Sequence, residues 1–382
     1  MTNVFYIYGV IWAFIWLLYE LQWSDLCLPL EGESYALLIF IILTSVAIGW
    51  CFKEKVQFVR LQKNPHKTRN ITKFLVTLFI ISFIINRNIP LIEVLRGTSY
   101  ADIDRSGIPH FNLILVSFSV FYCFYLSYCY VCFKDKYILY EIGSIITYFM
   151  LNVQRQNVFI CTIFFVNYLL IEWCHQRPIR NRINNYLKIF IAIIMLFYLM
   201  GLFGNMRYGS LWDWNDSSMI MSLGRANENY PTFVSDTFFW TYIYLVSPLA
   251  NLNYNFLNLI PQYDLIGLFF EIIPDFISNR LGYVRPYPML LVNSLTVCTG
   301  YVSPFAHFGA FGVLLIYLLS ITLVTIIITI CNKHNPDKVS VVTTGLTYFL
   351  VMNFFDNTFT YNITWLVMLF SLITSLNLKF KI

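Results

Sequence analysis

Arginines lying between long apolar stretches are the side chains of this sequence best suited to bind an anion. The candidates are Arg155, Arg207, Arg225, Arg280 and Arg285. A guanidinium group holds phosphate or carboxylate oxygens two at a time through its planar fork of donors. The alternative is that each arginine pairs with a nearby carboxylate, as Arg225 could with Glu228. Arg155 and Arg207 have no acidic neighbour within several residues, so they are the first choice for an anion site.

The candidates for a general base in the same region are His307, Glu271 and Asp264. His307 lies one turn inside a predicted helix start, beside small residues. A neutral imidazole accepts protons near ambient pH, which favours His307 as the base. The alternative is a purely structural histidine. The sequence contains no HExxH, GxSxG or GxxxxGK[ST] motif, and we identify neither a disulfide framework nor a CxxC metal site among its nine cysteines.

The elements that must position these side chains are apolar helices. Of the 382 residues, 58% are hydrophobic, 19% are aromatic and only 12% are charged. Soluble domains carry about 25% charged residues, so the composition excludes a soluble enzyme and a nucleic-acid-binding protein. We predict an all-α, polytopic membrane bundle that forms a single integral membrane domain over residues 1–382. The first apolar stretch lacks a basic start and a cleavage site, which favours a retained helix over a signal peptide.

A membrane-spanning helix needs about 20 mostly apolar residues. Ten stretches meet this pattern: Val4–Tyr19, Tyr35–Phe52, Phe74–Asn86, Phe111–Phe133, Tyr137–Val153, Val158–Trp173, Leu187–Phe203, Phe308–Cys331, Val339–Phe355 and Asn362–Leu376. Two further stretches, Phe238–Leu252 and Pro288–Val302, are shorter or interrupted by polar residues. We therefore predict about 10–12 spans.

The distribution of basic residues predicts the orientation of the bundle. Five connections hold 17 of the 25 Lys and Arg residues, including all twelve lysines. These connections alternate correctly if the N-terminus is cytoplasmic, because cytoplasmic loops carry an excess of Lys and Arg. The eight remaining basic residues, all arginines, then face outward. The orientation of the bundle does not require arginines on the outer face. Their presence there therefore supports a binding role for some of these eight residues.

One long segment, residues 205–306, begins and ends on the outer face. It contains either no span or two, namely Phe238–Leu252 and Pro288–Val302. We favour a large periplasmic segment with short apolar helices that dip into the bilayer or lie on it. In this segment Pro248 and the following asparagines are expected to break an apolar helix, which lipid tolerates only beside protein or a cavity.

Several of these features together resemble the O-antigen polymerase (Wzy) family of oligosaccharide repeat-unit polymerases. Arg155 opens the sixth span, and Gly204 to Arg207 form a Gly-x-x-Arg end of the seventh. A Tyr-x-x-Ser-Pro-Leu-Ala-Asn-Leu stretch follows at Tyr244 to Leu252. After the large outer segment, a Phe-Gly-x-x-Gly helix start follows His307, where members of the family often have an acidic residue.

The resemblance implies an inner-membrane glycosyltransferase with a GT-C-like fold and a periplasmic active site. Its donor and acceptor would both be undecaprenyl diphosphate-linked oligosaccharides, with membrane lipid around them and a chain-length regulator as a further partner. No metal, cofactor or nucleic acid is implied. The arginines would stabilise the departing lipid diphosphate, and a base would activate the acceptor hydroxyl.

Two alternatives stay open. An O-antigen ligase of the same fold would move the finished glycan to the lipid A core, and the sequence discriminates poorly between the two. A lipid-linked oligosaccharide flippase is a different class of protein. Flippases usually have short loops and charges within their spans, whereas the spans here are nearly free of charge.

Overall fold

A computed structural model of the protein describes residues 3–61, 68–96, 110–176, 179–208 and 215–376. Helices make up the regular structure of these residues, and no strand occurs among them. The helices are α1 Val4–Tyr19, α2 Gly32–Cys51, α3 Thr68–Asn86, α4 Pro90–Leu95, α5 Phe111–Phe133, α6 Lys136–Leu151, α7 Arg155–Gln176, α8 Ile179–Tyr208, α9 Ser218–Leu223, α10 Thr237–Asn258, α11 Leu265–Phe270, α12 Asp275–Ser278, α13 Val302–His334, α14 Val339–Met352 and α15 Asn362–Ser375.

Each of the ten predicted spans coincides with a helix, and α1 and α5 have the predicted bounds. In the described ranges, five helices are long and apolar enough to cross a membrane: Gly32–Cys51, Thr68–Asn86, Phe111–Phe133, Arg155–Trp173 and Val302–His334. Shorter apolar helices accompany them, including Val4–Tyr19 and Asn362–Ser375. The all-helical membrane architecture is therefore confirmed, whereas the number of crossings stays a prediction.

Connections rich in lysine lie together at one end of the bundle. The Asn332 amide donates to the Lys55 carbonyl over 2.9 Å, and the Tyr128 hydroxyl donates to the Asp337 carbonyl over 3.0 Å. Lys134 pairs with Glu172 nearby. We call this the basic end. The opposite end, which contains the connections after α1, α6 and α14, is called the site end.

Helix α10 lies along the site end. Its Tyr242 hydroxyl accepts from the Trp23 amide over 3.0 Å. Eleven residues later, Asn253 accepts from the Glu31 amide over 2.9 Å and from the Ser34 hydroxyl over 2.8 Å. Both halves of α10 therefore contact the same connection, the one between α1 and α2. The helix continues through Pro248, so the expected break at that residue is wrong.

The chain from residue 283 to residue 300 is irregular, with neither helix nor strand. The alternative in which Pro288–Val302 returns as a spanning helix is therefore wrong. Asparagines on one face of α10 hydrogen-bond the irregular backbone. Asn251 donates to the carbonyls of Leu295 and Val297, and Asn255 exchanges two bonds with Met289. These amides replace the backbone pairing that a helix would have supplied.

Candidate functional site

A break in α13 shapes the site. Phe308 and Gly309 leave the helical conformation, with φ of +59° at Gly309, a region that suits glycine. A Cβ at Gly309 would also lie 3.3 Å from Pro261. The break leaves a short helical segment that ends at His307. The His307 carbonyl then accepts the Asp264 amide over 3.0 Å, which fixes the residues before α11 beside it.

His307 is buried in a polar cluster behind this break, with its side chain only 2% exposed. Its Nε2 atom lies 2.9 Å from the Tyr283 hydroxyl and 3.5 Å from Glu271 Oε1. Its Nδ1 atom lies 3.9 Å from Asp264 Oδ2. A Cβ at Gly267 would lie 2.2 Å from Nδ1, so only a glycine leaves room for the imidazole. The structure thus brings the three predicted bases together.

Glu271 is fully buried and has hydrogen-bond donors on both carboxylate oxygens. The Ser303 hydroxyl donates to Oε1 over 2.6 Å. The side-chain amide of Asn357 donates to Oε2 over 2.8 Å and to the Glu271 backbone carbonyl over 2.9 Å. Arg285 Nε lies 3.4 Å from Oε1. Such a carboxylate is well placed to hold its neighbours in position.

Arg285 pairs with two carboxylates. Besides Glu271, it forms an ion pair with Asp275. Its Nη2 donates to the carbonyls of Phe270 and Ile273 over 3.1 and 3.0 Å. Burial lowers the pKa of the Arg285 guanidinium, and the negative charge of Glu271 opposes that shift. For Arg285 the structure therefore shows the alternative interpretation, pairing with neighbouring carboxylates. Its contacts clamp the turn between α11 and α12.

The other candidate arginines lie apart from this cluster. Arg280 Nη2 lies 2.8 Å from Nε2 of His110 at the exposed start of α5. Arg225 is exposed in the connection between α9 and α10, where its carbonyl accepts the Asp25 amide. Arg207 belongs to the last turn of α8, but its side chain lies outside the described residues.

A cavity of about 2580 Å³ opens beside the cluster. Side chains of α7 and α8, from Arg155 to Leu170 and from Ala192 to Gly204, line it. Fifteen residues of helix span about 22 Å, which is most of the roughly 30 Å hydrocarbon thickness of a bilayer. The walls along the helices are largely apolar, whereas Arg155, Arg285 and Asp356 lie at the site end. The cavity is therefore amphipathic along its length.

Asp356 is the functional candidate that the sequence did not reveal. It lies in the connection between α14 and α15 and is exposed on the cavity wall. The backbone N–H of Asn357 donates to the Oδ1 atom of Asp356 over 2.7 Å. The surrounding protein removes most of the bulk water, and this desolvation raises the pKa of Asp356 to about 6, although Arg285 opposes the shift. The one signal in the sequence by which it could have been found is an acidic residue in a short connection between two apolar spans.

Comparison of the chain with protein-family models, curated proteins and solved structures gave no match.

Proposed function

We propose that the protein is an oligosaccharide repeat-unit polymerase that transfers a growing glycan from undecaprenyl diphosphate to a sugar hydroxyl of a new lipid-linked repeat unit. The observation that carries the proposal is the amphipathic cavity. Its apolar length along α7 and α8 suits a polyprenyl chain, and its polar end suits a diphosphate and sugars. The GT-C-like fold, the inner-membrane location and the periplasmic site belong to this proposal.

Arg155 is the first choice to bind the diphosphate. It begins α7 on the cavity wall, and its Nη1 contacts the Phe203 carbonyl at 3.5 Å, near the long limit for such a bond. When the bond between the anomeric carbon and the phosphate oxygen breaks, negative charge grows on the leaving diphosphate. A guanidinium at the edge of a low-dielectric region stabilises that charge strongly.

The polar cluster around Glu271 and Arg285 has a supporting role in this proposal. Arg285 has its nitrogens directed at Glu271, Asp275 and backbone carbonyls, so it orders the wall instead of binding substrate. Glu271 in turn connects the wall to α13 through Ser303. An ordered wall keeps the reacting groups in one geometry, which lowers the entropic cost of reaction.

Deletion of the gene in its native strain tests the proposal. We expect surface lipid with a single repeat unit on its core, visible on a gel, and full-length glycan after complementation. A ligase deletion would instead leave lipid-linked polymer in membrane extracts. A flippase deletion would leave single repeat units on undecaprenyl diphosphate and none on the core. Either of those outcomes would reject the polymerase.

A further inference from the structure

The carboxylates in the site differ in whether their side chains are exposed to the cavity. Glu271 lines the cavity, but its side chain is fully buried and has donors on both oxygens. Asp264 caps α11 through the Ile266 amide and is not part of the cavity wall. Asp275 is paired with Arg285. Among the described residues, Asp356 is the carboxylate that lines the cavity with its side chain exposed.

Asp356 also lies at the end of the cavity where the leaving diphosphate would bind. Arg155 lines the same cavity at the same end. The connection from 353 to 361 is held there at both of its ends. The Gly300 amide donates to the Asn353 carbonyl over 2.8 Å, and the Asp275 amide donates to the Thr360 carbonyl over 3.0 Å. The carboxylate therefore sits on a fixed piece of backbone.

The buried His307 does not line the cavity. Tyr283 and Glu271 lie against its Nε2 atom. A base must reach the proton that it removes, directly or through one water. Asp356 meets that condition at the cavity wall, whereas His307 supports the wall from behind.

We propose that Asp356 is the general base of the transfer, an inference that rests on the proposed function. Asp356 accepts the proton of the acceptor sugar hydroxyl. The acceptor oxygen forms the new bond to the anomeric carbon, and the bond from that carbon to the diphosphate oxygen breaks. The electron pair leaves with the lipid diphosphate, whose charge Arg155 stabilises. Asp356 then releases its proton to water, so charge and protons balance.

The ionisation of Asp356 can be followed in a pH profile if the groups around it do not titrate in the same range. They are Arg285, Glu271, Cys298 and Tyr361. Burial raises the pKa of Cys298 and of Tyr361 to about 12, so both stay neutral between pH 5 and pH 8. A carboxylate with a raised pKa loses its function as a base when the pH falls through about 6. We expect the rate to fall about tenfold from pH 7 to pH 5.

The experiment measures polymer formation by the full-length protein in lipid vesicles. The probe is undecaprenyl diphosphate-linked repeat unit extracted from the strain that lacks the gene. For Asp356→Asn we expect kcat to fall about 100-fold or more, with KM nearly unchanged and the acidic limb of the pH profile lost. Asp236→Asn is the matched control. Asp236 is an exposed carboxylate at the start of α10, outside the cavity, so its variant should keep the wild-type rate and profile.

Asp356→Glu covers the case in which the Asn variant does not accumulate in the membrane. It keeps the carboxylate but moves it by one methylene, so we expect transfer at least about tenfold slower with an acidic limb still present. Wild-type kinetics in the Asn variant would overturn the role of Asp356 but not the proposed polymerase function. If only the Glu variant accumulates, wild-type kinetics in that variant would have the same meaning. An inactive wild-type protein would overturn the proposed function and this inference together.

Discussion

Arg155 and Arg285 have the same side chain but very different surroundings. Arg285 has two carboxylates and two backbone carbonyls around its guanidinium. Arg155 begins a helix on the cavity wall, and its side chain is exposed. In the sequence both arginines were candidates for the same anion site, because only the residue type was known. Their different roles follow from contacts between residues that are far apart in the chain.

Replacing Arg155 by lysine is expected to abolish most chain extension while the protein stays in the membrane. A lysine keeps the charge, but its compact ammonium group cannot hold two diphosphate oxygens through one planar fork. We expect polymer formation in vesicles to fall about 100-fold, the usual effect of losing one transition-state donor.

Arg96→Lys is the matched control for that variant. Arg96 is exposed, pairs with Glu93 over 3.1 Å and does not line the cavity, so its replacement should leave the rate unchanged. Full activity of the Arg155 variant would mean that this arginine has only a topological role.

Asp356 shows why the base was harder to predict than the arginines. Nothing adjacent in the sequence marks it, since its neighbours are Phe355 and Asn357. Its exposure to the cavity depends on how the connection from 353 to 361 packs against residues near 275 and 300. His307, in contrast, lies beside a conspicuous glycine pattern. Glu271 and Asp264, the other two candidate bases, lie beside His307 in the structure.

Helix α10 illustrates what pattern alone can say about an element. The apolar run Phe238–Leu252 correctly indicated a helix, but its bounds extend to Thr237 and Asn258. The proline and the asparagines suggested a break. In the structure the asparagine side chains instead point to backbone groups outside the helix. That use could not be predicted, because the irregular segment that Asn251 and Asn255 hold is 34 to 46 residues away.

Asn251→Leu is expected to destabilise the protein. The substitution leaves the Leu295 and Val297 carbonyls and the Leu291 amide without their partner. Each unsatisfied buried group costs about 1–3 kcal/mol, so the free energy of unfolding should fall by at least about 3 kcal/mol. A lower melting temperature in detergent measures the effect.

Asn258→Leu supplies the comparison for that substitution. Asn258 is on the same helix, is exposed and donates only to the Tyr254 carbonyl of its own helix. Its variant should melt close to the wild-type temperature. Equal melting temperatures for the two leucine variants would show that the Asn251 bonds do not hold the irregular segment.

The whole bundle has two chemically different ends. Lysine-rich connections meet at one end, and the charged residues of the cavity lie at the other. The alternation of charge along the sequence was sufficient to predict this division, because loop composition is a local property. The cavity along α7 and α8 was not predictable, because its shape depends on how several helices pack, and the sequence does not reveal that packing.

Topology reporters test the predicted orientation. A reporter enzyme that is active only outside the cytoplasm is fused after Asn229, at the site end, or after Lys136, at the basic end. We expect activity from the first fusion alone, because the lysine-rich end should stay in the cytoplasm. Activity from the Lys136 fusion would reverse the orientation and reject a periplasmic site.

The apolar length of the cavity has a consequence for selectivity. Hydrocarbon from ordinary phospholipids wets such walls as readily as a polyprenyl tail does, since lipid tails are as apolar as leucine. Binding of the polyprenyl carrier therefore displaces phospholipid from the cavity, and the polyprenyl tail contributes little net affinity. Discrimination between the carrier and bulk lipid then falls to the headgroup, at the few polar side chains around Arg155 and Asp356.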